Sequence, residues 1–390
     1  MPQPPRTSEL SPDVSPRSEK WILPATIFFG LYAVCRTFYS IYSLYRDSIL
    51  AHDLRVQYEP WLLLIHRDTA ASALHTLTYL PHTWILLTPL YALGWSTAES
   101  LWFVINFLLH LYIWHGISNL ACLRRDQRWL FLSLYFSLES VGLTIALGNP
   151  VVACMAATVA AYSASTPGRS GIFLALAAIK HSIVYPVYFK LLLERSKKVL
   201  FPIVFIGASL LAAMWWARIG PADLLAGLHN GTAQVNIWMH ETQSVSLVPV
   251  AEKLLGGIGG PALVQAVVWS LWGVLFWITM KIRDNLGQLV ALLLIGLLPM
   301  HHRSYDLIVA APLVAFLIRR DCLLAACLVT LPLCGLWDTF CHHFQKQHPF
   351  LAACNQVYYQ VVIFTLFSIT VAVSRKIQIP SAGGVTSPAP

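Results

Sequence analysis

Long apolar runs alternate along the chain with short polar connections. Runs that approach or exceed the ~20 residues needed to cross a bilayer recur from Trp21 to Ser374. In lipid a chain must satisfy its own backbone groups, so a succession of such runs predicts an all-α, polytopic transmembrane helix bundle. The first run extends from Trp21 to about Tyr45 and reads as a retained anchor, too long for a signal-peptide core. Further spans are expected at about 82–97, 100–121, 129–147, 151–164, 171–191, 199–217, 262–281, 286–300, 305–318, 321–338 and 356–374. Several fall short of ~17 residues and read as broken or re-entrant helices, within a total of about ten to twelve.

The polar interruptions divide the chain. Residues 1–20, rich in proline, serine and charge, predict a disordered cytoplasmic tail, and 376–390 a second disordered tail. The stretch 46–76 is too polar to span and too apolar for a free loop, which predicts amphipathic helices on the outer membrane surface. A second non-spanning segment, 218–261, carries helix breakers and polar residues and reads as a loop region outside the membrane. Arg36 lies inside the first run, where a charge must face the bundle interior or snorkel.

Composition narrows the class. Of 390 residues 57% are hydrophobic and only 11% charged, which excludes an ordinary soluble domain. The net charge of +8 is gathered at the ends of apolar runs, as in "RR" at 124 and "RSKK" at 195, the pattern of cytoplasmic loops facing anionic headgroups, not of a nucleic-acid surface. The eight cysteines form no CxxC pair and read as small buried hydrophobes.

Four polar islands could carry chemistry. Asp53, flanked by His52 and Arg55 just after the first span, could act as a general base, although position alone favours a surface aspartate. Tyr79 and His82 lie at the opening of a proline-bearing span, where an interfacial role competes with a site role. Asn149 follows Gly148, and Lys180 and His181 sit inside an apolar helix, about 15 Å of helix from the next cation, Lys190. A buried lysine needs an anion, for which a phosphate would serve; snorkelling is the even alternative. The densest island, "MHHRSYD" at 300–306, combines His302, Arg303, Tyr305 and Asp306; its donors suit an anion better than a metal.

The order of these islands resembles the GT-C glycosyltransferases that use polyprenyl-phosphate sugars, specifically glycosyltransferase family 87, which includes phosphatidylinositol-mannoside mannosyltransferases and an arabinofuranosyltransferase. The resemblance runs over residues 21–375 and rests on "DLRVQY", "YLPHTWILLTPL", "GNP", "AAIKHSIVYPVYFKLLLERSKK", "ETQSVSLVPVAEKLL" and "HHRSYDLIVAAPL". Two departures bear on donor contacts: Thr242 precedes Gln243 where Asn is usual, and Asn149 follows Gly148 directly.

The resemblance implies a single catalytic domain over 21–375 that moves a sugar, mannose first, from a polyprenyl-phosphate-linked donor to a glycolipid or glycan acceptor with inversion. It implies Asp53 as the base and Lys180, His181, His302 and Arg303 around the donor phosphate. His52, Arg55, Tyr79, His82, Asn149, Gln243, Tyr305 and Asp306 would then line the substrate pocket. The site would face the outside of a bacterial cytoplasmic membrane, or the lumen of the endoplasmic reticulum in a eukaryote. No cofactor and no nucleic-acid partner are expected, and a divalent metal stays open. The rival readings are a secondary transporter or lipid flippase, which would also bury Lys180 and Arg36, and a non-catalytic assembly subunit.

Overall fold

The structure, a computed structural model, describes residues 16–46, 50–75, 77, 79–241, 244–344 and 349–375. Gln243, the segment 376–390 and most of the expected N-terminal tail lie outside the described residues. The chain is a multi-pass membrane helix bundle. Among the described residues it has no strand beyond one isolated antiparallel bridge, between Ser244 and Arg303.

In chain order the helices are α1 (Pro16–Arg46), α2 (His52–Ile65), α3 (Ala70–Leu74), α4 (Pro81–Tyr91), α5 (Trp95–Leu120), α6 (Arg125–Ser137), α7 (Glu139–Leu147), α8 (Val151–Ser163), α9 (Pro167–Ala177) and α10 (His181–Leu193). Then follow α11 (Leu200–Ala217), α12 (Pro221–Glu241), α13 (Val248–Met280), α14 (Asn285–Gly296), α15 (Ala311–Arg319), α16 (Leu323–Leu333), α17 (Leu336–Phe344) and α18 (Pro349–Arg375). Helix α1 begins at Pro16, inside the expected tail; proline is tolerated in a first turn because its missing N–H would have no intrahelical partner.

Six helices among the described residues are long and apolar enough to cross a membrane, counting α9 and α10 as one span. The pair α6 and α7 makes a seventh if read as one span bent by 61°. Other apolar runs expected as spans are shorter helices, among them α8, α14 and α16, which bury themselves among neighbours and so need not meet the bilayer's full thickness. Every residue from Leu286 to Leu298 except Gln288 is buried, so α14 runs through the centre of the bundle against α10 and α18. By contrast α1 leaves Trp21, Phe28, Leu31 and Phe38 exposed along one side, apolar surface suited to lipid.

The charge in α1 faces inward. Arg36 pairs with Glu139 at the bend between α6 and α7, so neither ion is left alone in the apolar interior.

Both polar segments that interrupt the span pattern are helical. Residues 46–76 contain α2 and α3, and 218–261 contain α12 and the first part of α13, which is kinked where Gly260 takes φ 67° before Pro261. The two segments pack on each other closely. Gly227 accepts a backbone hydrogen bond from the Leu77 amide at 3.0 Å, and a Cβ at Gly227 or Gly231 would fall about 2 Å from the carbonyl oxygens of Leu74 and Leu77. Glycine is required at both positions for this approach, which carries α12 over the chain leading to Tyr79.

Candidate active site

The site is built from two breaks in helices and one turn. The span 167–193 is interrupted by a 3₁₀ turn, Ala178–Lys180, where Lys180 leaves helical geometry with φ −131° and ψ 69°. Such a break frees backbone carbonyls that lipid cannot satisfy. Two of them are taken by the first turn of α4: His82 Nε2 contacts the Ala178 carbonyl oxygen at 2.7 Å and the Thr83 hydroxyl donates to the Ile179 oxygen at 3.0 Å. The break turns the Lys180 side chain into the bundle, where it is 7% exposed.

The second break lies between α7 and α8. Gly148, with φ 67°, caps α7 in a conformation costly for other residues, and its carbonyl accepts from the Trp102 indole at 2.9 Å. Asn149 follows, fully buried, and its amide is held on both sides: Oδ1 accepts from the Val151 amide at 2.9 Å and from Lys180 Nζ at 3.2 Å, while Nδ2 donates to Asp53 Oδ2 at 2.6 Å. Asp53 stands in the first turn of α2, anchored by the Ala51 amide bonding to the Ala146 carbonyl at 2.8 Å.

The third piece is the turn after α14. Lys180 Nζ donates to Asp306 Oδ1 at 2.5 Å, and His302 Nδ1 meets Asp306 Oδ2 at 2.9 Å. Five side chains drawn from four parts of the sequence thus form one continuous line, Asp53, Asn149, Lys180, Asp306 and His302. Asp306 lies outside the helices that are long and apolar enough to cross a membrane, and the run 305–318 expected as a span is a short 3₁₀ turn leading into α15. Burial would raise its carboxyl pKa, but the Lys180 charge and the His302 hydrogen bond outweigh this and hold it down to about 2, so it is ionised.

This line borders a cavity of 580 Å³ that Lys180, His181, Tyr79, Tyr305, Asp306, His302 and Arg303 help to line. Asp53 and Asn149 are not among its lining residues; Asp53 reaches it through Asn149 and Lys180, and lies close enough to Tyr79 and Tyr305 to raise their pKa values after burial has done so. Lys180 Nζ also sits 5.0 Å from the centre of the Tyr305 ring, a cation–π contact.

Three groups on the wall, His301, His302 and Arg303, are open to a ligand. His302 is 1% exposed, and its Nε2 has no hydrogen-bond partner among the described residues. The Arg303 guanidinium has no ion-pair partner among them either, whereas Lys180 is committed to Asp306. His301 is pushed down to about 4 by burial and by the neighbouring His302 and Arg303, so it stays neutral near pH 7 and offers hydrogen bonds without charge.

Other singled-out residues lie elsewhere. His52 and Arg55 are exposed on α2, and Arg55 points to Glu59, 3.4 Å away, not to the cavity. His82 is buried behind the Lys180 break, against the Ala178 carbonyl and 5.6 Å from the His181 ring, so it supports the wall without lining it.

Four contributors were not singled out in the sequence. Glu252, Gln265 and Trp269 on α13 also line the cavity. The signal for Glu252 was present: it and Lys253 are the only charges between Glu241 and Lys281.

Gln360 on α18 was the least visible. Its Nε2 donates to the Ser244 and Ser246 carbonyls at 2.9 and 2.8 Å, clamping a strand-like segment whose Val245 and Leu247 amides bond to the His302 and Leu298 carbonyls, each at 2.8 Å. Replacing Gln360 by Leu strands two buried carbonyls and is expected to cost about 1–3 kcal/mol of stability. A thermal unfolding curve checks this, and Gln360→Asn should recover part of the loss.

The sequence model of glycosyltransferase family 87 matches residues 77–304, more than half of the chain. The chain belongs to that family. No curated protein and no solved structure matches it. The family match includes Tyr79, Asn149, Lys180, His302 and Arg303 and stops short of Asp53 on one side and of Tyr305 and Asp306 on the other. As a family 87 member the chain is a membrane-embedded glycosyltransferase, with a sugar donor and an acceptor as its substrates.

Proposed function

We propose that this glycosyltransferase takes its sugar, mannose in the first instance, from a polyprenyl-phosphate donor and delivers it to a glycolipid or glycan hydroxyl with inversion. Asp53 is the general base. The observation that carries the reading is the unbroken line from the Asp53 carboxylate through Asn149 and Lys180 to Asp306 and His302 at the cavity wall.

In the reaction the acceptor hydroxyl gives its proton to Asp53 as its oxygen attacks the anomeric carbon. The bond from that carbon to the phosphate oxygen breaks, and polyprenyl phosphate leaves. Negative charge grows on the phosphate in the transition state, so fixed positive groups there lower the barrier. Arg303 is the cation available for that work. The His302 Nδ1 bond to Asp306 holds the imidazole at the wall with Nε2 left for the donor, and Lys180 contributes its field while bonded to Asp306. Pro261 and Trp269 of α13 give the cavity an apolar patch that suits a donor whose tail is isoprenoid. The cavity opens toward the outer leaflet in this reading, in keeping with basic clusters such as "RSKK" on the cytoplasmic side.

The direct test incubates purified protein in lipid nanodiscs with radiolabelled polyprenyl-phosphate sugars and a panel of glycolipid acceptors. Transfer from polyprenyl-phosphate mannose supports the proposal in full; transfer only from a nucleotide sugar would end it. A narrower prediction concerns the wall: His302→Ala with Arg303→Ala should raise the donor KM by about tenfold or more and leave the acceptor KM near its original value, since charged hydrogen bonds to phosphate are lost. An unchanged donor KM would remove both residues from donor binding.

A further inference from the structure

The catalytic line makes no use of the basic run at 195–198. From the Lys180 break, the 13 residues of α10 carry the chain about 20 Å along the helix axis to its other end. A second cavity, of 280 Å³, lies there between α8, α9, α10 and the 3₁₀ turn Lys197–Val199.

Its lining is rich in donors: Tyr162, Ser170, Lys190, Lys198 and Asn285. Ser170 is 3% exposed, yet its hydroxyl has no hydrogen-bond partner among the described residues, and neither has the Tyr162 hydroxyl. Lys190 is neutralised by Glu194 at 3.0 Å, the one carboxylate lining the cavity. Lys198 is half-buried with no carboxylate partner among the described residues. One uncompensated cation and two unpaired hydroxyls therefore converge on a space large enough for a phosphate group. The surface beside it is apolar and exposed: Leu192 and Leu193 at the end of α10, and Leu200, Phe201 and Ile203 at the start of α11. Soluble phosphate has no use for such a border, whereas acyl chains do.

We propose that this cavity binds the phosphate headgroup of an anionic membrane lipid, on the membrane face opposite the catalytic cavity. Lys198 supplies the charge, Ser170 and Tyr162 the hydroxyl donors, and the apolar border receives the chains.

The full chain, reconstituted in phosphatidylcholine nanodiscs containing a minor fraction of phosphatidylglycerol, provides the test, with retained lipid counted by native mass spectrometry after gentle detergent release. The unaltered protein should retain phosphatidylglycerol over phosphatidylcholine. Lys198→Ala should retain it roughly fivefold more weakly, the effect of one basic group at an anionic surface. Ser170→Val should also lower retention while its unfolding temperature stays the same. Lys281→Ala, which removes a cation on another loop, should retain lipid as the original does. Equal loss in Lys281→Ala would reduce the effect to diffuse surface charge and overturn the site, as would unchanged retention in Lys198→Ala. Inorganic phosphate is the competing probe: failure to displace the lipid supports a headgroup site, and displacement at millimolar phosphate would assign the cavity to a free anion instead.

Discussion

Replacing Asp53 by Asn is expected to lower transfer by about 10²–10⁴-fold, the span associated with loss of a positioned general base. The substitution is close to isosteric. The oxygen of the new side-chain amide can still accept the Asn149 Nδ2–H that Asp53 Oδ2 accepts at 2.6 Å, and the backbone anchors of α2, the Ala51 to Ala146 bond and the Gln57 side chain donating to the Asp53 carbonyl at 3.1 Å, are untouched. Thermal unfolding should therefore shift little, so lost activity reports chemistry and not folding. The loss should fall on kcat with donor KM nearly unchanged, because a base acts on the acceptor proton in the transition state. A variant that turns over normally would remove Asp53 from the mechanism. One whose only defect is a raised donor KM would make Asp53 a donor-binding residue.

The pattern of apolar runs was enough for the bundle, because span length is a local property of the sequence. It was not enough for the status of each run. Helices α8, α14 and α16 are shorter than the bilayer needs and are held by their neighbours, and packing of that kind involves residues far away in the chain. The same distinction governs the site. Asp53, Asn149, Lys180 and Asp306 each drew attention as polar groups beside apolar runs, but what joins them is contact across 96, 31 and 126 residues, and no local spacing encodes it. Arg36 was legible as a charge needing a partner, and the partner, Glu139, was not. Gln360 left no trace in the sequence. A glutamine in an apolar run reads as a mild irregularity, and its importance comes from two carbonyls more than a hundred residues earlier.

Breaking the Lys180–Asp306 pair from one side is expected to damage the fold as well as the reaction. The two side chains are 8% and 2% exposed and lie 2.5 Å apart, so Asp306→Asn leaves an ammonium buried without its counter-charge and also strips His302 Nδ1 of a carboxylate acceptor. A cost of about 3–5 kcal/mol is expected for a buried ion left alone, seen as a marked fall in unfolding temperature. The double variant Lys180→Met with Asp306→Leu removes both charges and should recover much of that stability, because an apolar pair of similar volume carries no desolvation penalty. Activity should not return with it. The double variant lacks the field of Lys180 and the group that orients His302, so a stable yet inactive protein separates the catalytic use of this pair from its structural use. The pH dependence follows the same sign. The Asp306 carboxyl titrates lower in the fold than its ordinary 3.8, so its contribution to stability is complete above that value and is lost as pH falls toward about 2. Unfolding temperatures should therefore fall on acidification through that window in the original protein and change less in the double variant. If the double variant turned out as unstable as Asp306→Asn, the defect would lie in packing, and the ion pair would not be what holds the turn carrying His302 and Arg303 against the Lys180 break.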